Sequence, residues 1–417
     1  MKSISKTYKH GYLIILVVAM LFPWVQFIFK SDSDVQPYSL FLLIPVTLVL
    51  AVSFFFNGDY KVSKIGVNSL LAAFSGMLVA LIILSIDGLN LESLRASYQY
   101  IYAAIFFMAL FFVSGKKKPS LENLYYLNKI IAATFWVWVF VGLYQRFIDK
   151  EFLVHLLNRS VVTADRGVVS LSSEPAYFGL VMLFYSLVFF IFNRKILGIT
   201  SLILMVFLTM SSVSIVVLLA SLFVFYLHRG KLLSLVFIPL FALFIYYLGL
   251  WVISASWLSE YRVVQLIERV YSNAALLFMD GSLNIRLSHF YYSHHGFIND
   301  FLIPHGALEW PNYISRNIGS VHFLWDTGLN QTSRINSGIG GMLFEGGVFS
   351  LIFIFFALRS FYLLAEHRGE ASVIILLVMI SLYAGFTFKS PHVYLLIYLF
   401  YLRFLYKGSL KVRGSVS

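Results

Sequence analysis

The chain has no cysteine. That excludes disulfides, thiolate metal sites and cysteine nucleophiles, so its loops are not held by disulfide bridges. Charge is also scarce. Only 12% of the 417 residues are Asp, Glu, Lys or Arg, where a soluble domain averages about a quarter. Acid is the scarcer sign, 19 residues against 31 bases, for a net charge of +12. No P-loop, dinucleotide fingerprint, G-x-S-x-G, HExxH or kinase signature occurs, so none of those chemistries has its usual carrier.

Hydrocarbon fills the place of charge. Hydrophobic residues make up 60% of the chain, with 42 Phe. Many runs approach the 18 or so apolar residues needed to cross the roughly 30 Å bilayer core. The pattern predicts an all-α, polytopic membrane protein with about 12 transmembrane helices. The expected spans are 11–29, 38–56, 66–86, 97–114, 126–146, 176–192, 196–210, 212–228, 232–254, 337–359, 372–388 and 391–407. The first has no small-residue cleavage site after it and reads as a retained span. "TMSSVS" is expected to be a tight turn between spans seven and eight. One bent helix there would make the count eleven and invert the later sides.

With twelve spans both termini share a side. Thirteen of the 16 Lys fall on it, which makes that side cytoplasmic by the positive-inside rule. The short Lys clusters flank spans and give no reason to invoke nucleic acid. Arg behaves differently. Arg95, Arg146, Arg159, Arg166, Arg262, Arg269, Arg286, Arg316 and Arg334, nine of the 15, lie on the outer side. Arg suits multidentate recognition of phosphate or carboxylate. The set points to an anionic ligand outside, although any single Arg could simply pair with a loop acid.

The whole chain, 1–417, reads as a single integral membrane domain, with no internal repeat. Two outer loops are long, 146–175 and 254–336. In the larger, "SWLSEYRVVQLIERVYSN" places Leu258, Tyr261, Val264, Ile267 and Val270 on one face of an amphipathic helix. "SLNIRLSHFYYSHHGFI" suits a second short helix, and "PHGALEWPNYISRNIGS" reads as loop.

Three stretches hold the candidate chemistry. In "ADRGVVSLSSEPAYFGL", Pro175 suits a first helical turn and the serines can cap. Glu174 is then either a carboxylate favoured by the helix dipole or a general base beside Arg166. "DGSLNIRLSHFYYSHHGFI" carries Arg286, His289, His294 and His295. The histidines read as interfacial side chains, sugar contacts or a base; no carboxylate stands at metal-ligand spacing. "SVHFLWDTGLNQTSRINSGIGGMLFEGG" carries His322, Arg334, Asn336 and Glu345. Glu345 lies about two turns into a span, where an ionisable side chain is costly and is paired or functional. Arg286 or Arg334 is the expected partner.

These stretches, in this order, resemble the bacterial O-antigen polymerase and ligase superfamily, membrane glycosyltransferases of the GT-C type with about twelve spans and one large late periplasmic loop. "DRGVVSLSSEPAYFG" is similar to that family's Arg-x-Gly segment before a span entrance, "GSLNIRLSHF" to its second Arg segment, and "NSGIGGMLFEGGVFSLIF" to its closing E-x-G pattern. The likeness covers about residues 160–360. Ile335-Asn336 stands where ligases of the family carry His-Asn, which favours polymerase. The resemblance implies an inner-membrane, metal-independent enzyme without cofactors. Its donor and acceptor would be undecaprenyl-diphosphate-linked oligosaccharides, and a chain-length regulator of the inner membrane is a candidate partner. It implies Arg166 and Arg286 as the diphosphate clamp and Glu174, then His322, as the base. Arg262, Arg269, His294, His295, Arg316, Arg334, Asn336 and Glu345 would line the substrate. A ligase and a flippase for lipid-linked sugars are the alternatives.

Overall fold

The computed structural model describes residues 17–26, 36–57, 62–114, 121–157, 167–211, 262–273, 281–321, 323–324, 335–365, 367–383 and 390–413, with a few isolated positions between 214 and 254. Among them the chain is helical and has no strand, only an isolated bridge between Val25 and Leu157.

Twelve α-helices are defined among these residues: α1 Tyr38–Asn57, α2 Lys64–Asp87, α3 Leu91–Ser114, α4 Leu121–Phe147, α5 Pro175–Ile191, α6 Lys195–Leu204, α7 Arg262–Ser272, α8 Gly281–Asn299, α9 Trp310–Asn317, α10 Gly338–Leu364, α11 Arg368–Tyr383 and α12 Pro391–Arg413. Five of them, α1 to α4 and α10, hold apolar stretches long enough to cross a membrane. Pro175–Ile191, Lys195–Thr209 and Pro391–Leu405 are apolar but shorter.

Local chemistry sets the ends. Ser63 caps α2 by accepting from Gly66 N at 3.0 Å. Asn90 and Ser93 cap α3 reciprocally: Ser93 N donates to Asn90 Oδ1 at 2.8 Å and Asn90 N to Ser93 Oγ at 3.2 Å. Between these caps Gly88 turns the chain at φ 75°. The α2–α3 hairpin is the tightest pairing, and small residues allow it: Ser69, Ala72, Ala73, Gly76 and Ala80 are buried along α2. α10 lies antiparallel on α2. Asn68 Nδ2 donates to Phe356 O and Ser360 Oγ, both at 2.9 Å, a polar clasp inside an apolar core.

Nine of the twelve expected spans coincide with described helices, five of them long and apolar enough to cross a membrane, and two expectations change. The first span, 11–29, is helical over 17–21 and then breaks. Pro23 constrains Phe22 and cannot donate, so the chain turns there; Gln36 N bonds to Pro23 O at 2.7 Å. The expected loop "PHGALEWPNYISRNIGS" contains α9, because Pro311 falls in the first helical turn, where a missing N–H costs nothing. "TMSSVS" does interrupt the helix: α6 widens into a π turn over Met205–Thr209, and Met210 is left-handed at φ 44°. Spans 212–228 and 232–254 lie almost wholly outside the described residues.

Candidate functional site

Four of the candidates, Glu174, Arg286, Asn336 and Glu345, lie toward the end of the bundle where α2 and α4 finish and α3, α5 and α10 begin. The segment leading into α5 is fastened from two sides. Gly167 lies so close to the π turn that a Cβ there would sit 2.0 Å from Thr209 O, and Val168 N donates to Leu208 O at 2.9 Å. Ser170, left-handed at φ 52°, donates through its N to Gln145 Oε1 at 2.6 Å and through Oγ to Trp138 O at 2.7 Å. Ser172 Oγ lies 2.8 Å from both Val169 O and Glu174 O. An apolar bundle thus holds a polar, non-helical segment by satisfying its backbone.

That segment delivers Glu174 to the N-cap position of α5, yet its carboxylate does not cap the helix. It turns to α8 instead, and Arg286 Nη2 donates to Glu174 Oε2 at 3.1 Å. The two side chains are 23% and 33% exposed, so the pair is partly desolvated but still reachable. The sequence expectation placed Arg286 or Arg334 beside Glu345. In the structure Arg286 pairs with Glu174, and Glu345 Oε2 accepts from Gln99 Nε2 of α3 at 3.3 Å.

One turn along α8 from Arg286, His289 is fully buried. Its Nδ1 accepts from Asn336 N at 2.8 Å, which puts the proton of the neutral ring on Nε2. Burial pushes its pKa down to about 4. The ring packs against Trp310 at 5.3 Å. Among the described residues, His289 Nε2, Trp310 Nε1 and Tyr292 OH have no hydrogen-bond partner. Ser337 follows Asn336 and caps α10 through Gly340 N at 3.1 Å.

α10 breaks ten residues later. Gly347 takes φ 57°, ψ −142°, which a side chain tolerates poorly. The loop after α8 fills the break. His305 N donates to Phe344 O and Gly306 N to Glu345 O, each at 3.1 Å, and Val348 N donates to Leu302 O at 2.9 Å. Asp87 Oδ2, at the end of α2, accepts from Ala307 N at 2.6 Å. The start of α10, with Asn336 and Glu345, is therefore braced by α2, α3 and α8 together.

The other candidates are engaged elsewhere. His294 Nδ1 bonds to Phe290 O at 2.7 Å and its Nε2 lies 3.5 Å from Tyr383 OH. His295 bonds to Tyr313 OH at 2.6 Å and Asn299 Nδ2 at 2.7 Å. Arg316 is exposed and pairs with Glu309, and Arg269 is exposed on α7. Arg262 begins α7, but its side chain lies outside the described residues, as do Arg166, His322 and Arg334. Among the described residues no three His, Asp or Glu come together as metal ligands would. Gln99 and Gln145 were not singled out in the sequence, although a Gln inside an apolar run is a signal of an internal bond. His289 stood among three histidines with nothing to separate it except its one-turn spacing from Arg286. No known protein-family model matches the chain, and no curated protein is similar to it.

Proposed function

We propose that this chain is a membrane glycosyltransferase of the O-antigen polymerase type, joining undecaprenyl-diphosphate-linked oligosaccharides at the outer face of a bacterial inner membrane. The carrying observation is convergence. Glu174 from the first family-like stretch meets Arg286 from the second at 3.1 Å, and His289 from the second holds Asn336 from the third at 2.8 Å. Three short stretches far apart in sequence thus meet along one face of α8, at positions one helical turn apart. The Lys distribution supports cytoplasmic termini, which puts this end of the bundle on the periplasmic side.

In this reading a sugar hydroxyl of the acceptor attacks the anomeric carbon of the donor. The new glycosidic C–O bond forms as the bond to the diphosphate breaks, and the electron pair leaves on the diphosphate oxygen. Arg286 sits where that negative charge develops, already oriented by Glu174. Glu174 Oε1 has no bond among the described residues and takes the hydroxyl proton. A single displacement of this kind inverts the anomeric centre.

A broken helix such as α10 also occurs in transporters, where unwound carbonyls bind ions. Here Phe344 O and Glu345 O accept from His305 N and Gly306 N, so the break is filled by protein and favours an enzyme over a flippase. The test is reconstitution in liposomes with a defined undecaprenyl-diphosphate oligosaccharide. A ladder of longer lipid-linked glycans is expected. Transfer only to lipid A core would mean a ligase, and unchanged glycan on the other leaflet a flippase; either overturns the proposal.

A further inference from the structure

The loop between α8 and α9 turns on two strained residues. Phe301 and Leu302 are both left-handed, at φ 56° and 64°, a conformation that side chains of their size rarely adopt. The turn feeds the loop into the break of α10, where Leu302 O accepts from Val348 N at 2.9 Å. It leaves apolar side chains outside. Phe301 is 87% exposed, and Ile303 and, at the end of α8, Ile298 are exposed with it.

The neighbours of the loop set its depth. The break at Gly347 follows Gly346, where a Cβ would lie 2.6 Å from Val79 Cγ1 of α2. Val79 stands eight residues before Asp87, the last residue of α2, about 12 Å along the axis at 1.5 Å per residue. α2 is long and apolar enough to cross a membrane. Val67, Leu71, Phe74, Leu78 and Leu81 form an exposed apolar face along it at helical spacing, the face a spanning helix turns to hydrocarbon. Ile86, also exposed, meets the loop: a Cβ at Gly306 would lie 3.0 Å from its Cγ2. The loop is thus held between the levels of Val79 and Asp87, inside the length of a spanning helix.

An irregular segment at that depth must have its backbone satisfied without water. This one does. Asp300 N donates to Gly296 O at 3.1 Å, Phe301 N to Ile298 O at 3.2 Å, Leu302 N to Phe297 O at 2.9 Å and Ile303 N to Asp300 O at 3.2 Å. Pro304 has no N–H. His305 N and Gly306 N donate to Phe344 O and Glu345 O, and Ala307 N donates to Asp87 Oδ2. Every N–H from Asp300 to Ala307 is therefore bonded within the protein. The carboxylate at the turn, Asp300, is held by His305 Nε2 at 2.7 Å.

We infer that this segment is a re-entrant loop whose partner is the lipid itself: Ile298, Phe301 and Ile303 lie among acyl chains of the leaflet at the Asp87 end of α2. Carbon outward and a fully bonded backbone inward suit hydrocarbon and not water. The inference concerns the bilayer and stands whether or not the chain is a glycosyltransferase.

The test uses the full-length protein in nanodiscs. The chain has no cysteine, so one introduced cysteine is a unique site for a nitroxide. Labels at Phe301→Cys and Ile303→Cys are compared with Leu81→Cys on the lipid face of α2 and Ser315→Cys, exposed on α9. Oxygen, which partitions into hydrocarbon, should relax the loop labels as it does Leu81→Cys. A water-soluble nickel chelate should not. The nickel-to-oxygen relaxation ratio is expected to be at least five-fold lower in the loop than at Ser315→Cys. Ile298→Cys reads the same depth from ordinary helical backbone, should either loop variant fail to melt cooperatively. Nickel relaxation equal to that at Ser315→Cys would place the loop in water and overturn the inference. Relaxation by neither reagent would mean that protein covers the loop, which overturns it too.

Discussion

Two Arg–Glu pairs sit at opposite ends of the bundle. Arg286–Glu174 joins α8 to the N-cap of α5, and Arg403–Glu370 joins α12 to the first turn of α11. Their exposures are alike, 23% and 33% against 18% and 24%. Their settings differ. Arg403 and Glu370 lie on helices that follow one another, so the pair staples an antiparallel hairpin. Arg286 and Glu174 are 112 residues apart. Their pair sits beside a buried His, a clamped polar segment and a broken helix. Composition and burial alone do not separate a staple from a site; what the pair is connected to does.

The sharpest way to break that comparison is to delete each Arg. Arg286→Ala is expected to slow glycan polymerisation about 10²- to 10³-fold, as loss of one preorganised charge stabiliser does. Arg286→Lys should recover only part of it, since an ammonium cannot reproduce the planar fork. Arg403→Ala should leave the rate per folded molecule unchanged and lower thermal stability by about 1–3 kcal/mol, the worth of a charged hydrogen bond. Initial rates on lipid-linked oligosaccharide, set beside melting curves of the same preparations, check both. If the two variants lose rate and stability in the same proportion, the distinction between the pairs is wrong.

Gly347 tests whether the brace around the site matters as much as its charge. An alanine Cβ there would sit 2.4 Å from Leu302 O, at a φ of 57° that disfavours side chains. Gly347→Ala should cost about 1–3 kcal/mol for the backbone alone, with polymerisation falling as α10 is displaced. Among the described residues, no left-handed position lies on α11 or α12, which carry Arg403 and Glu370. The check is a melting curve with a rate assay on the fraction that remains folded.

His289 gives the site end a pH dependence. Its folded pKa is lowered from the ordinary 6.5 to about 4, because burial penalises the charged ring. Between those values the unfolded chain binds the extra proton, so stability rises with pH across the window. The contribution is fully present above about pH 6.5 and is lost as pH falls toward 4, up to about 3 kcal/mol at 1.36 kcal/mol per unit. His289→Gln should make the rise of melting temperature between pH 4 and 6.5 shallower, while Arg403→Ala should not. Melting scans across that range decide it.

How much of this was legible in sequence differs between the bundle and the site. Apolar runs located nine of the helices, with ends off by up to about six residues, because lipid-facing and core-facing surfaces are both carbon and only their ends need polar groups. The run at 11–29 misled because one proline outweighs the hydropathy around it. Glu174 and Arg286 stood out as charges at a membrane edge, but their pairing did not, since it depends on how α8 packs on α10. For Glu345 the structure shows Gln99 as one bonding partner, a neutral residue that charge counting passes over, while Arg334 lies outside the described residues. α9 was hidden by a proline that reads as a breaker and serves as a helix start.

The smallest effect is expected at Arg316, and it sharpens the argument from Arg enrichment. In sequence Arg316 and Arg286 belong to one set, nine Arg on the outer side. In the structure Arg316 is 65% exposed and bonds to Glu309 and Asn312 O of its own short helix. An exposed pair of that kind contributes about 0–1 kcal/mol. Arg316→Ala should therefore change neither polymer yield nor melting temperature measurably. A clear loss of rate with unchanged stability would mean that the anionic substrate extends across α9, and that the outer Arg act as a surface and not as a single clamp at Arg286.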